Sequence, residues 1–280
     1  MKKCWICGKT VVISGASGGI GFSIAKALID KYDCKIIGIA RNEVKIKNAI
    51  SSLNDKKDNF SYRIFDVSVK ENWQNFYNEL KSLDIHVDVL INNAGFMLPF
   101  LKFENYSDSE IDEIIDTNFK SVVNSTKIFL PMIKKSSTPA IINVSSAAGL
   151  CAVVGQSMYC ATKSAVKGFT ETLQQDYKKK IYIGGIYPGF IRTDILSRQN
   201  ISDKNDKVVT KLMMPLPKAT KKIIRAIAKR KKRIVIGTDG HSLSFFGRLF
   251  PKATPSLVAT VLKKSKLELF SDLFDYAKEK

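Results

Sequence analysis

The chain has 280 residues, of which 45% are apolar and 25% charged, a balance typical of a globular enzyme with one large α/β domain or two smaller ones. It contains no run of about 18 apolar residues and no signal-peptide pattern near its start, so we expect no membrane-spanning helix. The net charge of +19 favours anionic partners such as nucleic acid, lipid or phosphorylated ligands, although a solvated lysine-rich surface explains it as well.

The cysteines also restrict the class of protein. Five scattered cysteines, an odd number, favour a reducing compartment over a disulfide scaffold, and we expect a cytoplasmic protein. Cys4 and Cys7 form a CxxC pair, but no second Cys or His pair follows at zinc-ligand spacing. The histidines, His86 and His241, are far apart in the sequence. We therefore predict no metal site.

The first predicted strand is the apolar, β-branched run from Lys9 to Ser14. It leads into the turn GASGGIG at 15–21 and then an amphipathic helix at 22–32. Glycines in such a turn let the backbone approach a pyrophosphate, and the helix N-terminus supplies N–H groups and a favourable dipole. The alternative is a glycine-rich turn without a ligand. The cofactor-binding residues predicted here are Gly15, Ser17, Gly18, Gly19, Ile20 and Gly21.

The second predicted strand, Lys35–Ala40, ends directly before Arg41 and Asn42. In dinucleotide-binding folds an acid at this strand end binds the ribose 2′-hydroxyl, whereas an arginine accommodates a 2′-phosphate. No acid occurs here until Glu43. The pattern favours NADP(H) as the cofactor, and a surface arginine at a strand end is the alternative.

Two further strands are followed by candidate cofactor residues. Tyr62–Asp66 places Asp66 and Val67 where they could contact an adenine, and a helix follows at about 70–83. Val87–Ile91 precedes Asn92–Gly95, at the carboxyl end where open α/β sheets bind ligands. The cofactor-binding residues predicted there are Asn93, Ala94 and Gly95.

The middle of the chain contains the candidate catalytic residues. A long helical stretch, Ser109–Phe129, carries Asn118, which could instead be a polar residue satisfied by backbone. A fifth strand, Pro139–Val144, leads into Ser145 and Ser146. The next predicted helix, Gln156–Tyr177, places Tyr159 and Lys163 one turn apart on one face, where a nearby ammonium would lower the tyrosine pKa.

A sixth strand, Lys180–Tyr187, precedes a loop with four further candidate residues: Pro188, Gly189, Ile191 and Thr193. Strands that alternate with helices predict a Rossmann-like, doubly wound parallel sheet. Right-handed crossovers place all the strand carboxyl ends on one edge of that sheet. Every candidate strand-end group above therefore falls on that edge, and we predict one composite site.

With these motifs in place, the chain from about Lys9 to Asp194 resembles the short-chain dehydrogenase/reductase superfamily. Its glycine turn is similar to TGxxxGIG, with Ser14 in place of the threonine, and Asn92–Gly95 matches NNAG. The resemblance identifies Asn118, Ser146, Tyr159 and Lys163 with the family's catalytic tetrad. Ser145 is a rival for Ser146, which has the family's usual thirteen-residue separation from the tyrosine.

The resemblance implies hydride transfer between a nicotinamide and a carbonyl or alcohol carbon. Tyr159 would transfer the proton, Lys163 would lower the tyrosine pKa and bind the nicotinamide ribose, and Ser146 would orient the substrate oxygen. Asn118 would hold a water that links Lys163 to solvent, and the loop from Pro188 to Thr193 would hold the carboxamide. A homodimer or homotetramer is expected on the same ground.

Residues 195–217 correspond to the family's substrate lid, and Met213 and Met214 there could line an apolar pocket. A basic helix at 218–229 and a last strand at 233–237 complete a predicted catalytic domain, 1–237, followed by a helical extension, 238–280. The extension resembles those of hydroxysteroid and lipid-carbonyl dehydrogenases, where such helices cover the substrate site, pack a dimer or touch membrane. Simple covering of the core is the alternative.

From this tail and the methionines we hypothesise a bulky apolar substrate such as a steroid or lipid carbonyl, bound near Ser146, Tyr159, Met213 and Met214. A 3-oxoacyl thioester is the alternative substrate. Weak membrane-surface contact through 241–265 is a separate expectation.

Two rival classes are a non-catalytic NADP(H)-binding protein and a nucleic-acid-binding protein, the latter suggested by KRKKR at 229–233. The complete tetrad argues against the first, and the lack of a nucleic-acid module argues against the second.

Overall fold

The computed structural model describes residues 4–193 and 213–274. In these residues seven strands form one all-parallel sheet in the order β3-β2-β1-β4-β5-β6-β7. Most of the strand residues are buried, as expected when helices cover both faces of a parallel sheet. The strands are β1 Thr10–Ser14, β2 Lys35–Ala40, β3 Phe60–Ile64, β4 Val89–Asn92, β5 Ala140–Val144, β6 Tyr182–Pro188 and β7 Arg233–Ile236. This arrangement confirms the predicted doubly wound sheet.

Helices alternate with the strands and then form a C-terminal extension. The α-helices of the described residues are α1 Gly19–Tyr32, α2 Glu43–Ser51, α3 Lys70–Ser82, α4 Asp108–Ile115, α5 Ser121–Ile133, α6 Ser157–Asp176, α7 Leu216–Ala228, α8 Thr238–Leu249 and α9 Ala253–Ser265. None of the described helices is long and apolar enough to span a bilayer.

Two differences from the sequence-based prediction concern candidate site residues. The third strand begins and ends two residues earlier than predicted, so Asp66 lies in the loop beyond β3. The single long helix predicted over Ser109–Phe129 is interrupted by a π-helical turn, Asp116–Lys120, between α4 and α5. A capping box, in which the Ser107 and Glu110 side chains bind each other's backbone N–H groups, begins α4.

Each face of the sheet has its own apolar core. On one face α1, α2 and α7 contribute Ile24, Leu28, Ile46 and Ile223, all fully buried. On the other face α3, α5 and α6 pack around Trp73 and Phe129. These two cores hold the strands in register, and the strand carboxyl ends therefore form a fixed edge.

A third apolar cluster lies beside that edge and includes the C-terminal extension. Leu269 and Phe270 pack there with Met97, Phe100 and Tyr159. The Phe100 and Phe270 rings make an edge-to-face contact, with centroids 4.9 Å apart. Leu269 and Phe270 of the extension therefore pack against residues at this edge of the sheet.

Candidate active site

A cavity of about 450 Å³ opens at the carboxyl ends of the strands, where the strand order reverses between β1 and β4. It brings together most of the residues that the sequence predicted. The predicted residues that line it are Gly15, Ser17, Gly18, Gly19, Ile20, Arg41, Asn42, Val67, Asn93, Ala94, Gly95, Ser146, Tyr159, Lys163, Pro188, Gly189, Ile191, Thr193 and Met213.

Hydrogen bonds join the glycine turn to the loop after β4. The Ser14 hydroxyl accepts hydrogen bonds from the backbone N–H groups of Asn93 and Ala94, both at 3.0 Å. The Asn93 side-chain amide donates to the carbonyl oxygens of Ser14 at 3.0 Å and Gly15 at 3.2 Å. A serine supplies the same hydroxyl as a threonine, which explains why the departure at Ser14 leaves the turn intact.

Gly21 lies behind this turn, outside the cavity wall. A Cβ placed on it would lie 2.5 Å from Asn93 Nδ2 and even closer to the Gly15 carbonyl oxygen. Its role is thus close packing of α1 beneath the turn. The first turn of α1 contains no acidic residue, so the positive end of its dipole faces the cavity uncompensated. The turn and this helix end fit a dinucleotide pyrophosphate.

Arg41 and Asn42 lie at the end of β2, on the cavity wall. Arg41 is half exposed, with its guanidinium 3.8 Å from Asp66 and 4.0 Å from Glu113. Asn42 is the N-cap of α2, and its side chain accepts a 2.8 Å hydrogen bond from the backbone N–H of Lys45. Lys45 also lines the cavity. Two cationic side chains thus border this end of the cavity.

Asp66 does not line the cavity; its carboxylate organises the loop after β3 instead. Oδ1 accepts hydrogen bonds from the Ser68 backbone N–H at 2.9 Å and the Ser68 hydroxyl at 2.7 Å. Burial raises the pKa of Asp66, but the Ser68 hydrogen bonds and nearby Arg41 outweigh it, so the net pKa is lowered. The carboxylate is therefore ionised at neutral pH and steers Arg41 toward the loop.

Tyr159, Lys163 and Ser146 meet at the centre of the cavity. Tyr159 and Lys163 are both buried on α6, with the lysine Nζ 5.7 Å from the centre of the tyrosine ring. Ser146 lies close enough to the tyrosine hydroxyl to lower its pKa, and the Ser146 Oγ accepts a hydrogen bond from the Ala148 N–H at 3.1 Å. The Ser145 hydroxyl instead donates to the Lys163 carbonyl oxygen at 2.7 Å. This geometry favours Ser146 over Ser145 as the serine that faces a substrate.

The pKa of Tyr159 shifts opposite to the expected direction. Burial raises it to about 12, and the hydrogen bond with Ser146 offsets this only in part. Burial also lowers the pKa of Lys163 to about 8, and its ammonium donates to the Val144 carbonyl oxygen at 3.3 Å. The loss of hydration is thus the largest cause of both shifts, and the lysine Nζ lies over the tyrosine ring. The tyrosine hydroxyl keeps its proton at neutral pH.

Asn118 is fully buried in the π-helical turn and lies beneath the cavity wall. Its amide donates to the Phe96 carbonyl oxygen and its Oδ1 accepts from the Phe96 N–H, both at 2.9 Å. A Cβ placed on Gly95 would lie 2.9 Å from Asn118 Oδ1 and 3.0 Å from Lys163 Nζ. Asn118 is therefore both satisfied by backbone, as in the alternative interpretation, and close to Lys163. The π-turn is what brings it there.

The loop after β6 is held by a residue that the sequence analysis missed. Asp239, at the start of α8, accepts a 2.6 Å hydrogen bond from the Phe190 backbone N–H and lines the cavity. The C-terminal extension thus anchors the loop from Pro188 to Thr193. No motif at Asp239 indicated this contact, because the two residues are 49 positions apart.

The end of the cavity beyond Ser146 is apolar. Phe96, Met97, Phe100, Val153 and Leu243 line it together with Met213, which is buried. Met214 does not line it; it packs against the core beneath the sheet, and its backbone pairs with Ile191. Consecutive residues of an extended segment point in opposite directions, so only one methionine can face the cavity. The predicted lid, 195–217, lies mostly outside the described residues.

Gln156 is a second cavity residue that the sequence analysis did not single out. It is buried, and its amide donates to the Leu98 carbonyl oxygen at 2.8 Å. Its Oε1 has no hydrogen-bond partner within the part of the chain that the structure describes. Its position one helical turn before Tyr159 could have indicated that its side chain lies at the cavity. In the same described residues, no cluster of His, Cys, Asp and Glu side chains suits a metal ion.

Comparisons with known proteins agree with this geometry. Residues 9–204 match the family described as short chain dehydrogenase. The chain is 31% identical to the "Putative oxidoreductase SadH" of Mycobacterium tuberculosis, over 92% of this chain and 96% of that protein. It is 33% identical to the 3-oxoacyl-[acyl-carrier-protein] reductase FabG of Rickettsia typhi, over 73% of this chain and 81% of that one. A solved short-chain dehydrogenase from Streptomyces avermitilis has the same fold, with 21% identity and a TM-score of 0.75 over 92% of this chain and 98% of that one.

Proposed function

Because the chain belongs to the short-chain dehydrogenase family, we propose that this oxidoreductase uses NADP(H) to interconvert a ketone or aldehyde and the corresponding alcohol. The observation that carries the proposal is the position of Tyr159. Its side chain lines the same cavity as Ser146, the glycine turn and Arg41. A nicotinamide cofactor supplies the hydride when bound.

The chain's own residues hold the substrate oxygen and move one proton. Ser146 and Tyr159 donate hydrogen bonds to the carbonyl oxygen, and Tyr159 gives its proton to that oxygen as negative charge develops on it. The ammonium of Lys163 stabilises the phenolate that remains. Tyr159 and Lys163 are both buried, which keeps bulk water away from them and strengthens these interactions.

The preference for NADP(H) rests on the charge around the end of β2. Arg41 and Lys45 border the cavity there, and no acid follows the end of β2 until Glu43. Glu43 is on the solvent side, paired with Lys47 at 2.8 Å. A 2′-phosphate would therefore meet two cationic side chains at this corner.

The apolar end of the cavity favours a bulky apolar carbonyl, such as a steroid or lipid ketone. Phe100, Val153, Met213 and Leu243 supply that surface. A second candidate substrate is a 3-oxoacyl thioester, which the name of the Rickettsia relative favours.

We place the protein in the cytoplasm, because all its described cysteines are unpaired, as a reducing compartment would keep them. The homodimer or homotetramer stays a prediction.

NADPH oxidation should be followed against steroid ketones, aromatic ketones, 3-oxoacyl thioesters, quinones and sugars, with NADH in parallel. We expect the Tyr159→Phe variant to lose about 10²–10⁴-fold in kcat/KM on the best substrate, because it removes the proton donor. Tyr77→Phe is the matched control, since Tyr77 packs its ring against Phe129 away from the cavity. Full activity in Tyr159→Phe would refute the catalytic assignment, and activity confined to sugars would refute the apolar substrate.

A further inference from the structure

The C-terminal extension exposes an apolar surface that the proposed reaction does not use. We define the tail surface as Phe245, Phe246, Leu249 and Phe250 around the end of α8, with Leu257 and Val261 on α9. These side chains are between 47% (Phe246) and 63% (Leu257) exposed. Exposed single apolar residues are ordinary, but six within seventeen residues, on two helices that pack together, are typical of an interaction surface.

The charge around the tail surface has a single sign. Residues 241–267 contain no Asp or Glu. Five basic side chains in that segment are exposed: Arg248, Lys252, Lys263, Lys264 and Lys266. An apolar surface with a basic border is complementary to the headgroups and outer acyl region of an anionic bilayer.

The same charge argues against a second copy of the chain as the occupant. A two-fold dimer through this surface would place identical patches against each other. The basic border of one copy would then face that of the other, which is unfavourable without intervening acids. The net charge of +19 would add to this repulsion, whereas it adds attraction to an anionic membrane.

The two helices are suited to lying on a bilayer and not to crossing it. Helix α8 has 12 residues and α9 has 13, well short of a span. Helix α8 also contributes Asp239 and Leu243 to the cavity wall. A bilayer under the tail surface would therefore lie against the helix that forms one side of the apolar end.

We infer that the tail surface docks this protein on anionic lipid bilayers as an interfacial, non-spanning contact. The inference goes beyond the proposed function and does not rest on it, because docking is measured without nucleotide or substrate. In this contact the exposed apolar side chains insert among the lipids, and the basic side chains around them face the anionic headgroups.

The test is co-sedimentation of the full chain with phosphatidylcholine vesicles, with and without about a third phosphatidylserine. We expect binding only to the anionic vesicles, and at least a tenfold weaker partition, roughly, for Phe246→Ser/Leu257→Ser. The matched control is Phe103→Ser/Leu83→Ser, which removes equally exposed side chains elsewhere and should bind like wild type. Circular dichroism confirms that each variant is folded.

A second pair of variants tests the charge. Arg248→Gln/Lys252→Gln should weaken binding to anionic vesicles more than Lys31→Gln/Lys81→Gln, which removes the same charge from other exposed positions. Equal losses in both pairs, or equal binding of the serine variants and their control, would overturn the inference in favour of attraction by net charge alone. A dimer in sedimentation velocity that Phe246→Ser/Leu257→Ser dissociates, without vesicle binding, would overturn it in favour of self-association.

Discussion

The nucleotide edge of the sheet and the C-terminal extension are built in different ways. The edge consists of short motifs, each directly after a buried strand, and its hydrogen bonds link neighbouring strands, as Ser14 and Asn93 do. The extension has no such motif, and it joins the site through contacts between distant residues, such as Asp239 with Phe190 and Phe270 with Phe100. We therefore expect changes at the edge to affect whether the reaction occurs, and changes in the extension to affect which substrates react.

Among substitutions outside the proposed catalytic residues, the largest effect is expected at the glycine turn. Gly21→Ala places a Cβ against the Gly15 carbonyl oxygen and Asn93, so the turn must move. We expect a loss of about 1–3 kcal/mol in unfolding free energy and about 10²-fold in activity. Urea unfolding and NADPH oxidation measure the two effects.

Gly168→Ala is the control for that substitution. Gly168 lies within α6, and a Cβ there would meet nothing within 4 Å, so alanine should stabilise the protein by about 0.5–1 kcal/mol. If Gly21→Ala and Gly168→Ala had similar effects on stability and activity, the close packing of Gly21 beneath the glycine turn would not be important for either.

Arg41→Ala should separate the two nucleotides. Loss of a charged hydrogen-bond donor to a 2′-phosphate should weaken NADPH binding about 10- to 100-fold and leave NADH binding nearly unchanged. Titration of intrinsic fluorescence with each nucleotide gives the dissociation constants. The control is Lys47→Ala, which removes an equal charge from a lysine paired with Glu43. Equal weakening of NADPH and NADH in Arg41→Ala would contradict the cofactor proposal.

The pH profile tests the catalytic centre. Burial lowers the Lys163 pKa to about 8, so the ammonium is present below that pH and is lost above it, whereas Tyr159, with its pKa raised to about 12, stays protonated throughout. We expect kcat/KM for carbonyl reduction to be level at neutral pH and to fall above about pH 8, by up to tenfold per unit.

Lys163→Arg is the control, because a guanidinium keeps its charge beyond pH 12, roughly, so any remaining activity should lose this inflection. A wild-type profile that stays level to about pH 9.5 would show that no lysine with a lowered pKa limits the reaction.

The smallest effect is expected in the extension. Phe270→Ala removes the edge-to-face contact with Phe100 and loosens the apolar end of the cavity. We expect a rise of about 2- to 10-fold in KM for bulky apolar carbonyls, with little change for small aldehydes or in NADPH affinity. Phe250→Ala, which truncates a side chain that is 56% exposed, should change none of these constants. An equal loss for small and bulky substrates would contradict a substrate-selective extension.

Much of the edge could be predicted from the sequence, because its determinants are local. Apolar runs identify the strands, and the parallel order with right-handed crossovers places their carboxyl ends together. The four-residue spacing of Tyr159 and Lys163 is sufficient to put both on one face of α6. For these residues the structure added distances and burial. It also favoured Ser146 over Ser145 as the candidate serine, because the Ser145 hydroxyl is already hydrogen-bonded to α6.

Other features depend on contacts that no local pattern reports. The π-turn at Asn118, the packing of Met214 against the core and the anchoring role of Asp239 each follow from how distant elements meet. The upward pKa shift of Tyr159 follows from burial that several elements create together, and the sequence suggested the opposite direction.

The sequence by itself therefore determined the sheet, the order of its motifs and the residues that share its carboxyl edge, since strand periodicity and chain connectivity are properties of the chain. Only the tertiary structure decided how far that edge is shielded from water, which side chains hold its loops by hydrogen bonds and where the extension lies. Desolvation and long-range packing depend on the relative positions of all the elements, and these exist only once the chain has folded.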